Sequence, residues 1–293
     1  MAFLFPDNAW VWLVPPLALI AIAFLAWWWI EYHARTCSRI AERIFSEVFE
    51  GRAAHWLRVR FPSLRRFIGA RLSPGRYLGL HLTLGLILTG LAIAAFLEIA
   101  DNVADKNNLA SFDVATIEWL HARAQPSGVA IAEVVTFLGS AAGLTILAVV
   151  VAGFLAARKY RIMLIGWVAA LVGGGILDEA LKLVFRRPRP TWALPLVVYP
   201  TWSWSFPSGH ATEAVVAFGM LGYLCIVESS RRRGVSIAIA FATFVLICAI
   251  GFSRLYLGVH YPTDVVGGFA IGLCWLSVCV TGLEVARGYH RSR

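Results

Sequence analysis

The sequence predicts an all-α fold, a polytopic membrane helix bundle, on three observations. Of 293 residues, 59% are hydrophobic and only 15% charged, where a soluble domain carries about a quarter charged residues. Apolar runs long enough to cross a bilayer recur along the chain. Lys and Arg concentrate on alternate connections between those runs. The five cysteines, Cys37, Cys225, Cys248, Cys274 and Cys279, form no C-x-x-C pair and no metal-ligand spacing. That argues against a disulfide framework and a zinc site.

The apolar runs predict seven spans, at about 9–30, 78–99, 130–156, 162–184, 208–228, 235–253 and 262–284. The first is not read as an ordinary signal peptide. No basic residue precedes it, no small-residue cleavage site follows, and its arginines come after it. Between the first and second spans, residues 31–76 contain ten arginines. Ile40, Ile44, Phe45, Val48, Phe49, Trp56 and Leu57 lie among them at roughly helical spacing, which predicts one or two amphipathic helices on the cytoplasmic surface. A plain cytoplasmic linker is the alternative. The chain therefore divides into an additional N-terminal transmembrane helix (1–30), an Arg-rich amphipathic segment (31–76) and a six-span core (77–293).

Charge orients the bundle. Arg158, Lys159 and Arg161, then Arg231 to Arg233, then Arg287, Arg291 and Arg293 join the ten arginines of 31–76, giving 19 of the 26 basic residues. The loop 100–129, on the other side, carries Asp101, Asp105, Asp113 and Glu118 against Lys106 and Arg123. The positive-inside rule then places the N-terminus outside and the C-terminus in the cytoplasm. The net charge of +9 is thus mostly a topology signal, with anionic headgroups rather than nucleic acid as its partner.

Five basic residues break the rule by falling at outer span ends: Lys182, Arg186, Arg187, Arg189 and Arg254. Each has a bland explanation: Lys182 can pair with Asp178 one turn back, and single arginines snorkel to headgroups. Span parity brings a second set to the same face, namely Ser208-Gly209-His210, His260 and Asp264. Fixed cations suit the non-bridging oxygens of a phosphate. Backbone N–H groups at a helix start, with Gly209 permitting close approach, add donors for an anion. Two histidines supply a nucleophile and a general acid. Asp264, four residues after His260 on a helix starting near Pro262, is within reach of the imidazole and can hold one ring N–H. No aspartate cluster is present to hold a catalytic metal.

Three stretches carry a resemblance. "KLVFRRPRP" (Lys182 to Pro190) fits K-x6-R-P, "PSGH" is Pro207 to His210, and "SRLYLGVHYPTD" (Ser253 to Asp264) fits S-R-x5-H-x3-D. In order and with this spacing they resemble the type 2 phosphatidic acid phosphatase (PAP2) superfamily over roughly residues 78–284. The resemblance implies a PAP2-like phosphatase core in which His260 attacks phosphorus and Asp264 orients it. His210 then protonates the leaving oxygen and later activates water. Lys182, Arg189, Arg254, Ser208 and the Gly209 amide would hold the phosphoryl oxygens, and Ser253 would be structural or a minor phosphate donor. No metal or other cofactor is implied.

The expected substrate is a membrane lipid phosphate met at the outer face of a plasma membrane: undecaprenyl diphosphate, phosphatidate or phosphatidylglycerol phosphate. No obligate protein partner is evident. The rival readings are a phosphotransferase using the same phosphohistidine, a haloperoxidase (a soluble class, at odds with seven spans) and a non-catalytic lipid-binding or transport protein. Asp178 and Glu179 are read as charge partners of Lys182. Glu213 either tunes His210 or lines the cavity. Trp192, Trp202 and Trp204 read as an interfacial belt. Gly139/Gly143 and Gly268/Gly272 fit G-x-x-x-G, open to packing within the chain or to dimerisation.

Overall fold

The computed structural model describes residues 77–104, 108–190, 203–229 and 233–291. The expected first span, the segment 31–76, Trp192 and Trp202 lie outside these residues. The described chain is all helix: α1 (Tyr77–Ala104), α2 (Asn108–His121), α3 (Pro126–Leu138), α4 (Ala141–Ala157), α5 (Arg161–Phe185), α6 (Gly209–Glu228), α7 (Arg233–Tyr256) and α8 (Pro262–Arg291). Among these, α1, α5, α6, α7 and α8 are long and apolar enough to cross a membrane, and α3 with α4 forms a sixth, broken span.

Two boundaries differ from the sequence reading. The run at 130–156 is not one straight span, because α3 and α4 are bent by 42° at Gly139-Ser140. A side chain on Gly139 would begin 2.7 Å from Ile250 Cγ2 and 3.4 Å from the His210 ring. Only glycine lets the chain pass so close to α6 and α7. Ser140 then restarts the helix, its Oγ accepting from Gly143 N at 3.1 Å, which satisfies one of the orphan donors of a helix start. The second difference is α2, which forms inside the expected outer loop 100–129.

Helix α6 is the central post. Of its apolar window, 56% is buried inside the protein, against 17% for α7. Ala211, Ala214, Val216, Ala217 and Met220 have no exposed surface. Small residues bring α8 against it: a side chain on Gly268 would strike Ser208 O and one on Gly272 would strike Thr212 O. That G-x-x-x-G pair therefore serves packing within the chain, since in lipid small residues are what let helix backbones approach. Large apolar side chains such as Val134, Ile165, Val184 and Phe241 point outward, as lipid-facing residues do. At one end of the bundle the polar groups pair among themselves: Tyr223 donates to Glu284, and Arg287 reaches both.

At the other end, Phe206 fixes the stretch that leads into α6. Its ring is wholly buried and stacks on Phe96 of α1 (centroids 5.7 Å apart) and edge-on to Phe185 of α5 (4.9 Å). Gly267 of α8 has no room for a side chain because this ring lies against it. Phe206→Ala is expected to cost up to about 3 kcal/mol, the lower end for such truncations because the comparison environment is partly lipid rather than water. Thermal unfolding in detergent should fall by roughly 5–10 °C; an unchanged midpoint would show that the ring does not anchor this turn.

Candidate active site

The C-terminal end of α5, the start of α6, the end of α7 and the start of α8 meet at one end of the bundle. Asp178 and Glu179, one turn before Lys182, hold its Nζ at 2.6 and 2.8 Å. Charge pairing at this helical spacing is what the sequence led one to expect. Gly209 packs directly on this pair, since a side chain there would begin 2.8 Å from Asp178 Oδ2 and 3.0 Å from Lys182 Nζ. Ser208 precedes α6; its N–H donates to Asp264 O at 2.9 Å. Its hydroxyl is buried with no hydrogen-bond partner among the described residues, beside the N–H groups that a helix start leaves unsatisfied.

Beyond α5 the chain turns at Arg186, whose φ of 45° ends the helix, and runs through Arg187 to Arg189. Arg189 Nε donates to Ser203 Oγ at 3.0 Å, and its NH1 donates to Val259 O at 3.2 Å and His260 Nε2 at 2.9 Å. A guanidinium N–H only donates, so Nε2 is the acceptor and the ring proton belongs on Nδ1. Nδ1 lies 3.5 Å from Asp264 Oδ2, long for a hydrogen bond, and 3.4 Å from Ser205 Oγ. Ser205 Oγ donates to the same carboxylate oxygen at 2.5 Å, and Tyr261 N at 2.8 Å. His260 is 1% exposed. Burial first, then the charges of Arg189 and Arg254, push its imidazole down to about 3, against the opposing pull of Asp264. The ring is therefore neutral, with a lone pair on Nε2.

Arg254, on the last turn of α7, is 2% exposed and donates to Thr136 Oγ1 of α3 at 2.6 Å. His210 lies one residue into α6, within electrostatic range of Arg254, His260, Arg189 and Lys182 together. All eight residues singled out from the sequence thus converge: Lys182, Arg189, Ser208, Gly209, His210, Arg254, His260 and Asp264. Ser253 donates to Ile250 O at 2.6 Å, a bond within its own helix. Glu213 Oε1 lies against Gly174 and Gly175 of α5, within electrostatic range of Asp178 and Lys182. Among the described residues no three His, Cys, Asp or Glu side chains gather as metal ligands.

Sequence reasoning missed a layer behind His260. Asp113, counted with the acidic outer loop, is 1% exposed. Its Oδ2 accepts from Arg187 NH2 at 2.6 Å and from Thr263 Oγ1 at 2.5 Å, and its Oδ1 from Thr263 N at 3.1 Å. Arg187 NH1 in turn holds Asp264 Oδ1 at 2.6 Å, and the guanidinium lies 4.3 Å from the Tyr261 ring centre. A signal was present: Leu109, Phe112, Ile117 and Leu120 form the buried stripe of α2, and Asp113 falls on that stripe.

The family that matches the chain is the PAP2 superfamily, over residues 162–286. The matched stretch, less than half of the chain, is similar to the PAP2 superfamily. It contains the Lys182, Arg189, His210, Arg254, His260 and Asp264 positions. The chain is 40% identical over 101 residues to phosphatidylglycerophosphatase B of Bacillus subtilis, covering 33% of this chain and 47% of the relative. It is 34% identical over 116 residues to decaprenylphosphoryl-5-phosphoribose phosphatase of Mycobacterium tuberculosis, covering 39% and 58%. The chain spans about half the length of the curated relatives it matches. A crystal structure of a transmembrane PAP2-type phosphatidylglycerolphosphate phosphatase from Bacillus subtilis superposes with a TM-score of 0.60 at 29% identity, covering 67% of this chain and 96% of that one. The bundle built around this stretch is thus a multi-pass membrane fold shared with a solved relative.

Proposed function

We propose that this protein is an integral membrane phosphatase acting on a lipid phosphate through a phosphohistidine on His260. The observation that carries the reading is the buried His260 ring, whose Nε2 accepts from Arg189 NH1, a donor that can pass to a phosphoryl oxygen, with His210 and its cations Arg254 and Lys182 alongside. A phosphoryl group placed there meets a nucleophile and its charge-stabilising groups at once. In the first step Nε2 forms a bond to phosphorus, the P–O bond to the lipid breaks, and His210 donates a proton to the departing oxygen. In the second, His210 takes a proton from water, the oxygen attacks phosphorus, and the N–P bond breaks to release inorganic phosphate. Lys182, Arg189, Arg254, the Ser208 hydroxyl and the Gly209 N–H hold the non-bridging oxygens throughout. Asp264 orients the ring.

The names of the relatives, which act on phosphatidylglycerol phosphate or a decaprenyl-linked phosphate, support phosphatidate, phosphatidylglycerol phosphate and undecaprenyl diphosphate as the substrates to try. Charge distribution supports an outer-face site, with the N-terminus outside, the C-terminus cytoplasmic, residues 77–293 as the catalytic unit, 1–30 as a further span and 31–76 on the cytoplasmic surface. The purified protein is expected to release phosphate from at least one of these three lipids, and to do so undiminished in EDTA, because the positive charge on the phosphate comes from side chains. Loss of activity in EDTA with recovery on adding magnesium would contradict the mechanism. Transfer of the group to a second lipid without free phosphate would make the protein a phosphotransferase.

A further inference from the structure

Asp264 has two carboxylate oxygens with different duties. Oδ2 faces the His260 ring, and Oδ1 rests on Arg187. Arg187 is spent entirely behind the site: NH1 on Asp264 and Thr263, NH2 on Asp113, its plane over Tyr261. Asp113 arrives from α2, far away in sequence. It grips the other prong of the Arg187 fork and also both the N–H and the hydroxyl of Thr263, the residue just before Asp264. One buried carboxylate therefore fixes the backbone beside Asp264 and the cation on which Asp264 leans. We propose that Asp113 is a positioning residue for the Asp264–His260 pair, acting through Arg187 and Thr263.

The proposal rests on the phosphohistidine reading, and the charge count explains what the residue contributes. Burial pushes the Asp113 carboxyl up to about 6, against the pull of Arg187, so it is ionised at neutral pH. Asp113, Arg187 and Asp264 together then carry one net negative charge. As Nε2 bonds to phosphorus the imidazole becomes positive, in a pocket that already holds Lys182, Arg189 and Arg254. The surplus negative charge next to Nδ1 offsets that development. With Asp113 neutral, Arg187 would cancel Asp264 outright and the ring would charge unaided. The substrate complex, with the ring still neutral, would feel this far less than the transition state.

The test uses the full-length protein in detergent with Asp113→Asn, Arg187→Gln and the double variant, each checked for monodisperse elution and thermal midpoint. For whichever of phosphatidate, phosphatidylglycerol phosphate and undecaprenyl diphosphate the wild type hydrolyses fastest, Asp113→Asn is expected to lower kcat about ten- to hundredfold while KM stays within about twofold. Arg187→Gln leaves two facing carboxylates. The double variant restores the single net charge, so its loss should be smaller than the product of the two single losses. A kcat within twofold of wild type in Asp113→Asn, or fully multiplicative losses, overturns the proposal. If the wild type hydrolyses none of the three lipids, the functional reading has failed. Positioning is then read from orthovanadate binding, which needs the imidazole and cations but no turnover. At least tenfold weaker binding by Asp113→Asn supports positioning, equal binding overturns it, and no binding by the wild type overturns both.

Discussion

Replacing His260 by alanine is expected to lower phosphate release by about 10⁴-fold or more while leaving the protein folded and able to bind its lipid. The size follows from the chemistry: His260 supplies the bond to phosphorus in the first step, so the residual rate would be attack by water. Folding should survive because the groups around the ring keep other partners. Arg189 retains Ser203 and Val259 O, and Asp264 retains Arg187, Ser205 and the Tyr261 N–H. Two measurements check it. Steady-state phosphate release gives the rate, and a rapid acid-free quench with radiolabelled lipid phosphate tests for an alkali-stable, acid-labile protein phosphate present in wild type and absent in the variant. Near-normal turnover in His260→Ala would remove the nucleophile from the mechanism.

Much of this arrangement was legible because membrane physics constrains it. The positive-inside rule makes basic residues at the expected outer span ends exceptions, so Lys182, Arg189 and Arg254 stand out in the sequence, and span parity puts them with His210 and His260. The four-residue step from His260 to Asp264 needed only the start of α8 at Pro262, a position proline favours. Other features depend on tertiary contacts that no local pattern records. The break at Gly139-Ser140 lies between two apolar runs, and hydropathy averages across it. Its cause is the approach of Ile250 and the His210 ring, from elements more than sixty residues further on. Asp113 misled for a related reason. Counting charge by loop treats every carboxylate as solvated, whereas α2 folds that loop back and buries this one against Arg187. Periodicity within α2 was the better guide, because a carboxylate on the apolar face of a helix has to find a partner.

His210→Ala is expected to separate the two halves of the reaction. On a lipid phosphate the loss should be about 10²–10⁴-fold, the usual contribution of a positioned acid or base, since an alkoxide leaving group needs its proton. On p-nitrophenyl phosphate, nitrophenolate leaves without protonation, so the first step no longer needs His210. The second step still does, because water must lose a proton to attack the phosphohistidine. The variant should therefore release nitrophenolate in a burst approaching one equivalent per enzyme and then turn over slowly, with phosphate retained on His260. The geometry favours this division. His210 is carried at the start of α6 with its ring against Gly139, within the field of Arg189 and Arg254, which also act on His260, so a phosphoryl group held by those cations would lie beside it. Rapid-mixing absorbance measurements would read the burst directly. Equal losses on both substrates with no burst would show that His210 serves neither as the acid of the first step nor as the base of the second.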